Sequence, residues 1–362
     1  MDCSFEPEFT LEDWTHQLLA PLNKARYPLS ATIELTERCN LNCLHCYINK
    51  AATDDTSQSK ELDTSTWKHV LDQMAEAGTL FLLITGGEPL LRPDFKQIFT
   101  HARRLGMLVT LFSNATLLTP EMANLLSDLS LHSLEVSLYG ATQETYEKVT
   151  RQPGSFNRSM RGIELALSRG IKISLKTVLL TKNQHELAAM QQLTESFGLD
   201  FRYDSTIWPR LDGSIHNMAY QVSNAEMLAL DTQDESRSEK WLEAAQNSQG
   251  HYLRSEKVFT CGAAYRSCHV DARGRMSPCM MVRKPAYDIP SMGFMPAFTR
   301  LGEVREWERQ SHNECETYPV GMLCTQCPGW SLALHGDYET PAEPVCVLGK
   351  LRANEFAKVA VQ

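Results

Sequence analysis

Three features are missing from this 362-residue sequence, and each absence excludes a class of protein. No apolar run reaches the roughly 20 residues of a membrane-spanning helix, and the acidic N-terminus has no apolar core of a signal peptide. No basic run is long enough to form a nucleic-acid groove, and the net charge of −9 disfavours binding to phosphate backbones. We therefore expect a cytoplasmic protein with neither a membrane nor a nucleic-acid partner.

Cysteine is also missing over a long internal stretch, although the chain contains 11 in total. The 214 residues between Cys46 and Cys261 contain none, whereas three fall within residues 39–46 and seven follow residue 260. Cys3 stands alone, and we regard it as incidental. Because cytosolic thiols stay reduced, clustered cysteines in that compartment usually bind metal or act in catalysis. The distribution predicts one such region near each end of the chain.

Between residues 30 and 214, strand-like and helix-like segments alternate. Six apolar segments, from Ala31–Thr36 to Leu199–Asp204, are separated by segments with helical periodicity that end at glycine or begin at threonine or proline. This alternation implies a parallel sheet wrapped by helices, so we predict an α/β fold with a partial (β/α)6 TIM-like barrel. The predicted units are an N-terminal segment at 1–29, the barrel at 30–214, a linker or helical bridge at 215–256 and a cysteine-rich iron–sulfur domain at 257–362.

The first cysteine group lies directly after the first predicted strand. Cys39, Cys43 and Cys46 have the spacing C-x3-C-x2-C within the stretch RCNLNCLHCY. In a parallel barrel this loop lies at the C-terminal mouth, where active sites are built. Three thiolates can hold three irons of a 4Fe–4S cluster and leave the fourth iron open to another ligand. A zinc site completed by His45 is the alternative.

With the stretch TGGEP after the second predicted strand, this loop resembles the radical S-adenosylmethionine (radical SAM) enzymes over about residues 30–205. The resemblance implies that S-adenosylmethionine chelates the open iron of the cluster through its amino and carboxylate groups. An electron, supplied by a donor such as flavodoxin or ferredoxin, would then cleave its C–S bond. The resulting 5′-deoxyadenosyl radical would abstract a hydrogen atom from the substrate.

The same resemblance implies roles for residues near the cysteine loop and the strand ends. Gly86 and Gly87 would let backbone carbonyls approach the methionyl ammonium, and Glu88 would add negative charge there. His45 would lie against the adenine, with Tyr47 stacked nearby. Further S-adenosylmethionine contacts are expected from Asn114, Ser137 and Arg151, the last pairing with the ligand's carboxylate. Turn closure by the first two of these and a surface ion pair for the third are the alternatives.

The seven cysteines after residue 260 resemble the SPASM extension of many radical SAM enzymes, over about residues 257–350. That extension usually binds two auxiliary 4Fe–4S clusters, which need eight cysteines when fully ligated. Tyr318 stands where the second cysteine of the middle motif is expected. A second cluster with an open iron, a single auxiliary cluster, or a zinc ribbon therefore remain open. The implied ligands are Cys261, Cys268, Cys279 and Cys327 for the first cluster, and Cys315, Cys324 and Cys346 for the second.

A barrel followed by such a tail resembles enzymes that modify peptides, so we expect oxidative modification of a peptide or protein, such as a cross-link. Sulfatase maturases usually carry an aspartate base after the third of these cysteines, but here Met280 and Met281 follow Cys279. Asp204, at the end of the sixth predicted strand, is the substitute candidate for a catalytic base.

The short segment at residues 1–29 leaves no room for the winged-helix recognition domain of many peptide maturases. A separate recognition protein could therefore deliver the substrate. Two alternative functions remain open at this point. One is a radical SAM enzyme of tetrapyrrole or haem-type cofactor synthesis, and the other is a non-catalytic iron–sulfur or zinc protein.

Overall fold

A computed structural model describes residues 25–48, 50–247, 255–313 and 323–360. Most of the predicted N-terminal segment, together with Cys3, Cys315 and Tyr318, lies outside the described residues. The strands are β1 Ser30–Thr36, β2 Arg38–Cys39, β3 Lys50–Ala51, β4 Phe81–Gly86, β5 Leu108–Ser113, β6 Ser133–Ser137, β7 Ile173–Val178, β8 Asp200–Asp204, β9 Ser267–Val270, β10 Arg275–Ser277 and β11 Tyr287–Asp288.

The helices of the described residues alternate with the strands as far as β8 and then dominate the C-terminal third. The α-helices are α1 Asp55–Gln58, α2 Thr64–Glu76, α3 Phe95–Arg104, α4 Pro120–Asp128, α5 Gln143–Thr150, α6 Ser155–Leu167, α7 Leu187–Ser196, α8 Asn224–Gln233, α9 Glu235–Asn247, α10 Ile289–Met292, α11 Phe294–Leu301, α12 Pro328–His335 and α13 Glu343–Ala360. Short 3-10 helices occur at Pro89–Leu91, Gln184–Glu186, His216–Tyr220 and Gly302–Glu306.

One sheet of nine strands organises the molecule, in the order β11-β10-β9-β1-β4-β5-β6-β7-β8. The six strands β1 and β4 to β8 pair in parallel, as the alternation of the sequence predicted. Their carboxyl ends therefore meet at one edge of the sheet, where the cysteine loop follows β1. The predicted α/β fold with six parallel β units is confirmed.

Local sequence explains where the helices begin. Asp63 caps α2 by accepting a hydrogen bond from the Thr66 N–H at 2.7 Å, and Thr119 caps α4, with Pro120 in its first turn. The inner faces of α2 and α3 place Trp67 and Phe95 in the fully buried core between helices and sheet. Helix α5, which lacks a strong apolar pattern, is absent from the sequence-based reading, although Thr142 provides its N-cap.

The C-terminal segment continues the barrel sheet. Strand β9 pairs in parallel with β1, from Ser30 opposite Ser267 to Ile33 opposite Val270, and β10 then turns back antiparallel to β9. In the bridge predicted at 215–256, α8 and α9 pack against α13 around Ala245 and Phe356. The predicted barrel and the predicted C-terminal domain thus share one sheet.

Candidate active site

The loop that carries Cys39, Cys43 and Cys46 is fastened by backbone hydrogen bonds to the end of helix α5. The N–H groups of Asn42 and Leu44 donate to the carbonyls of Thr150 and Val149, each at 3.0 Å. Carbonyls at a helix C-terminus lack partners within the helix, so they are available to order a neighbouring loop. Arg151 ends α5 in the left-handed conformation, with φ of 55°, and its side chain is exposed.

The three thiols of this loop are partly buried and lie near one another. Burial, the nearby Glu88 carboxylate and the Cys46 thiol raise the pKa of Cys39 to about 12. Burial and the neighbouring thiols Cys46 and Cys39 raise the pKa of Cys43 well above its usual value. Without a positive counter-charge these thiols therefore stay protonated, whereas iron would stabilise their thiolates.

The donor set fits an iron–sulfur cluster. Thiolate sulfur is the ligand of such clusters, and each cysteine binds a separate iron, so the sulfurs need not converge on one point. Within the described ranges, no three His, Cys, Asp or Glu side chains are grouped closely enough to hold a single metal ion. Cys39, Cys43 and Cys46 are thus suited to a cube with an iron at each thiolate.

Gly86 and Gly87 pack directly against the backbone that leads into Cys39. A Cβ atom on Gly86, which has φ of +129°, would meet the Thr36 carbonyl oxygen at 2.2 Å, and one on Gly87 would meet the Arg38 carbonyl oxygen at 2.2 Å. The Gly87 N–H donates to Thr36 O at 2.8 Å, and the Glu88 N–H donates to Arg38 O at 2.9 Å. Only glycine permits this close approach, which fixes the start of the cysteine loop.

Glu88 is fully buried, and its carboxylate oxygens are occupied by protein donors. It accepts hydrogen bonds from Ser113 Oγ at 2.9 Å and from the Leu90 and Asn114 N–H groups at 3.1 and 2.8 Å. Burial raises the pKa of Glu88 to about 7, against the lowering effect of these donors. The structure therefore gives Glu88 a positioning role at the ends of β4 and β5, and its contact with S-adenosylmethionine stays a prediction.

Asn114 joins the end of β5 to the cysteine loop. Its Nδ2 lies 3.8 Å from Cys39 Sγ and donates to Asn40 Oδ1 at 3.0 Å. Its Oδ1 accepts from Thr116 N and Oγ1 at 2.9 and 2.6 Å. The predicted site residue is thus beside the cysteines, where its amide orients the loop.

His45 and Tyr47 point to different surroundings. His45 lies 4.7 Å from the Tyr139 ring, and burial lowers the pKa of His45 to about 4. Among the described residues nothing bonds to its buried Nδ1, so this atom can accept a hydrogen bond from a ligand. The Tyr47 hydroxyl instead donates to Glu34 Oε1 at 3.2 Å, so its predicted stacking on the ligand remains untested.

A buried ion network, which sequence reasoning missed, joins β1 to the C-terminal segment. Glu34 is fully buried and accepts from Arg283 Nη1 and Nη2 at 2.8 and 2.6 Å, while His269 Nε2 lies 3.5 Å from Glu34 Oε1. Burial opposes ionisation, but His269 and Arg283 together hold the pKa of Glu34 at about 2. The signal in the sequence is a carboxylate inside the apolar strand Ala31–Thr36, which needs a buried partner.

The C-terminal cysteines form two groups. Cys261 and Cys327 are near enough to Cys279 to raise its thiol pKa, and Cys261 also raises that of Cys327, although burial is the larger effect on both. Cys268 is buried in β9, and its charged neighbour is Arg26.

Farther along the chain, Cys324 Sγ lies 3.9 Å from the carbonyl oxygen of Val345, the residue before Cys346. The structure thus brings together three of the four predicted ligands of the first auxiliary cluster. For the second cluster it places Cys324 beside the start of the segment that carries Cys346.

A cavity of about 690 Å³ opens at the carboxyl ends of β5 to β8. The barrel contributes Ser137, Lys176 and Asp204 to its wall, and the C-terminal segment contributes Met280 and Trp330. Asp204 is exposed, and its Oδ1 accepts a hydrogen bond from the Thr206 N–H at 2.8 Å. Two predicted residues, Ser137 and Asp204, therefore line one cavity, whose wall also includes Tyr139, the ring beside His45.

Residues 33–193 match the model of the radical SAM superfamily. The barrel part of the chain therefore contains a radical SAM domain. The matched range contains the cysteine loop, Gly86 to Glu88 and the parallel strands up to β7. This radical SAM protein is therefore an enzyme whose cofactors are S-adenosylmethionine and a 4Fe–4S cluster, as the spacing of Cys39, Cys43 and Cys46 led us to expect.

Among curated proteins, this radical SAM chain is similar to an AdoMet-dependent heme synthase of Methanosarcina barkeri (strain Fusaro / DSM 804), with 27% identity covering 87% of this chain and 95% of that protein. It is also 27% identical to a PqqA peptide cyclase of Rhizobium meliloti (strain 1021), over 90% of this chain and 88% of that protein. The two relatives carry different names, so family membership alone does not choose between their activities.

Among solved structures, Streptococcus suis SuiB bound to precursor peptide SuiA has a TM-score of 0.66 and 15% identity, covering 91% of this chain and 80% of that chain. The shared fold therefore extends beyond the matched radical SAM domain into the C-terminal segment. The expected architecture, a radical SAM barrel followed by a cysteine-rich C-terminal domain, is confirmed. Of the helices in the described ranges, none is long and apolar enough to cross a membrane.

Proposed function

We propose that this radical SAM enzyme oxidatively modifies a peptide or protein, forming a cross-link or a related change. The observation that carries the proposal is the position of the cavity of about 690 Å³. Its wall includes Tyr139, whose ring contacts His45 of the cysteine loop, and Met280, which follows Cys279, so a bound substrate would lie near both cysteine-bearing regions. The relative named PqqA peptide cyclase and the peptide-bound SuiB structure support a peptide as the occupant.

The protein's own contribution would be binding, orientation and exclusion of water. Bound S-adenosylmethionine, together with the reduced cluster, supplies a radical able to abstract a hydrogen atom from the substrate. The thiols of Cys39, Cys43 and Cys46 would hold the cluster, and His45 Nδ1 would accept a hydrogen bond from the ligand. Asp204, at the cavity wall, would accept the proton that the oxidised substrate releases.

Auxiliary 4Fe–4S clusters belong to the same proposal. Cys261, Cys268, Cys279 and Cys327 would hold the first, where the described residues already group three of the four thiols. Cys315, Cys324 and Cys346 would hold the second, with Tyr318 in place of a fourth cysteine. About twelve irons per chain would support three clusters, whereas about eight would contradict the second auxiliary site.

The chemistry also supports a set of partners and a location for the enzyme. A small reducing protein such as flavodoxin or ferredoxin would supply electrons, and a separate recognition protein could deliver the peptide. The cytoplasm suits this enzyme because reduced thiols persist there and can bind iron.

The test is anaerobic incubation of the cluster-reconstituted enzyme with S-adenosylmethionine, a reductant and short peptides encoded beside its gene. We expect one peptide to lose the mass of two hydrogen atoms, with formation of 5′-deoxyadenosine. The matched control is the Cys39→Ala variant, which should form neither product. Cleavage of S-adenosylmethionine without a change in any peptide would count against a peptide substrate.

A second candidate function is favoured by a specific observation. The similarity to the AdoMet-dependent heme synthase covers 95% of that protein, so it is not confined to the shared barrel. The cavity wall also contains flat aromatic groups and cations, which suit a tetrapyrrole with carboxylate side chains. A change in the mass of an added iron porphyrin, with no change in any peptide, would select this second function.

A further inference from the structure

The cavity at the ends of β5 to β8 has an unbalanced charge. Among the described residues that line it are four cations, Lys176, Arg202, Arg237 and Arg352, and one carboxylate, Asp204. Cations at a cavity wall usually either pair with protein carboxylates for stability or await an anionic ligand. The arrangement of their partners distinguishes these two roles.

Behind the wall, each of two carboxylates is shared between two cations. Glu135 Oε2 accepts from Lys176 Nζ at 3.0 Å and also from Arg202 Nη2. The fully buried Asp231 accepts from Arg237 Nη2 at 2.6 Å and from Arg352 Nε at 2.8 Å. In each group a single carboxylate is shared by two basic side chains, so neither basic side chain has a carboxylate partner of its own there.

The protein balances the positive charge of the Lys176 ammonium group only in part. Its side chain is 19% exposed and its ammonium group lies over the ring of Phe112. Burial lowers the pKa of Lys176 to about 7, and Glu135 only partly opposes this effect. A further carboxylate at this position would stabilise the ammonium form, because an opposite charge within a few ångströms favours ionisation.

Flat aromatic surfaces lie beside the cations. The rings of Trp208 and Trp330 stack with their centroids 4.0 Å apart and an interplanar angle of 17°. The guanidinium carbon of Arg352 lies 3.9 Å from the centre of the Trp241 ring. These walls would accommodate a planar or apolar group attached to an anion, and guanidinium groups suit a carboxylate in particular.

We propose that this cavity selects its substrate through a carboxylate group, which Lys176 and Arg202 bind on one side and the Arg237–Asp231–Arg352 group attracts on the other. The inference rests on the proposed function in so far as the carboxylate is taken to be an acidic side chain of a peptide. Its recognition chemistry is the same for the carboxylates of a tetrapyrrole. A carboxylate binding site would also position the neighbouring atoms of the substrate for hydrogen abstraction.

Anaerobic calorimetric titration of the cluster-reconstituted enzyme with S-adenosylmethionine tests the inference. The probes are a short alanine-based peptide with one glutamate and one tyrosine, the same peptide with glutamine in place of glutamate, and an iron porphyrin with carboxylate side chains. We expect the glutamate peptide to bind about tenfold more tightly than the glutamine peptide. The Arg202→Gln and Lys176→Met variants should each remove most of that preference.

Lys172→Gln is the matched control because Lys172 is exposed at the opposite end of β7, and it should retain the preference. Arg202 has a side chain that is 62% exposed, so its replacement keeps the test valid even if Lys176→Met fails to fold. Equal binding of the two peptides, or no binding of any probe, would overturn the inference.

The outcomes with the different probes distinguish this inference from the proposed function. If only the porphyrin binds, and Arg202→Gln weakens it, carboxylate selection stands and peptide modification is contradicted. If both peptides bind equally and one is modified, peptide modification stands and carboxylate selection is overturned.

Discussion

The two cysteine-bearing regions are built in different ways. Cys39, Cys43 and Cys46 lie on one loop, which Gly86 and Gly87 at the end of β4 and two carbonyls of α5 hold in place. The C-terminal cysteines instead come from separate segments, as Cys261, Cys279 and Cys327 show by approaching one another across the fold. The spacing of the first three cysteines is thus set by local sequence, whereas the proximity of the C-terminal cysteines depends on tertiary packing.

This difference affects how well each cysteine-bearing region tolerates substitution. The N-terminal loop is surrounded by residues that have few acceptable substitutes, because its backbone contacts leave no space for a side chain at Gly86 or Gly87. The C-terminal groups come from separate segments, so a metal cluster that joins these segments would itself contribute to their order. Replacement of single residues in each region can test this contrast.

The largest expected effect is at the cysteines. Cys39→Ala should lower the rate of 5′-deoxyadenosine formation more than about a hundredfold, since even partners of metal ligands contribute 10–100-fold. Cys279→Ala should retain that cleavage but lose about four irons per chain and the product. Chromatography of 5′-deoxyadenosine and iron analysis measure both, with Cys3→Ala as control. Loss of cleavage in Cys279→Ala would mean that the regions do not act separately.

The next effect is on the ion pair that joins the two regions. Arg283→Met leaves the buried Glu34 carboxylate without its bidentate partner, so we expect a loss of about 3–5 kcal/mol in the free energy of unfolding. Lys96→Met is the matched control, because the Lys96–Glu121 pair is exposed and its loss should cost less than about 1 kcal/mol. Denaturant titration of the cluster-free protein measures both, and equal losses would contradict the role of Glu34 as a buried charge.

The same pair predicts a pH dependence with a definite sign. The pKa of Glu34 is lowered to about 2, so its contribution is fully present above the ordinary carboxyl value of about 4 and is lost as pH falls toward 2. Glu34→Gln should therefore reduce the fall in stability of the wild-type protein over this range. A parallel pH profile in wild type and variant would exclude the lowered pKa.

The smallest expected effect of a substitution concerns the glycines. Gly87→Ala should destabilise the protein by about 3 kcal/mol, because its Cβ would lie 2.2 Å from the Arg38 carbonyl oxygen. Gly198→Ala should cost only about 1–2 kcal/mol, since Gly198 has φ of +68° but open space around its Cβ position. Thermal unfolding and iron content distinguish them, and equal iron loading in both variants would show that the loop adapts.

Sequence alone predicted the parts of the molecule whose signals are local. The strands and most barrel helices follow from periodicity and capping residues, and the cysteine loop follows from its spacing. The Glu34–Arg283 pair and the cations around Asp231 could not be located, because their partners are far apart in the chain and meet only through folding. Glu34 itself can be recognised in the sequence as a charged residue within an apolar strand.

Lys176 illustrates the remaining limit of such reasoning. It lies within β7, and the fold brings it to the cavity beside Phe112 and Glu135. No local pattern identifies which strand-end lysine will face a ligand, since that depends on the elements packed above the sheet. Asn217, which donates to the carbonyls of His45 at 3.1 Å and Trp208 at 2.7 Å, was missed for the same reason.

The pairing of β9 with β1 has a consequence during synthesis. A ribosome completes the six parallel strands before Ser267–Val270 emerges, so one side of β1 lacks its hydrogen-bonding partner for that interval. An unpaired strand edge can recruit another chain, and nascent chains on one message lie close together. Truncation after residue 214 would make this interval permanent, so the barrel by itself is expected to aggregate when expressed.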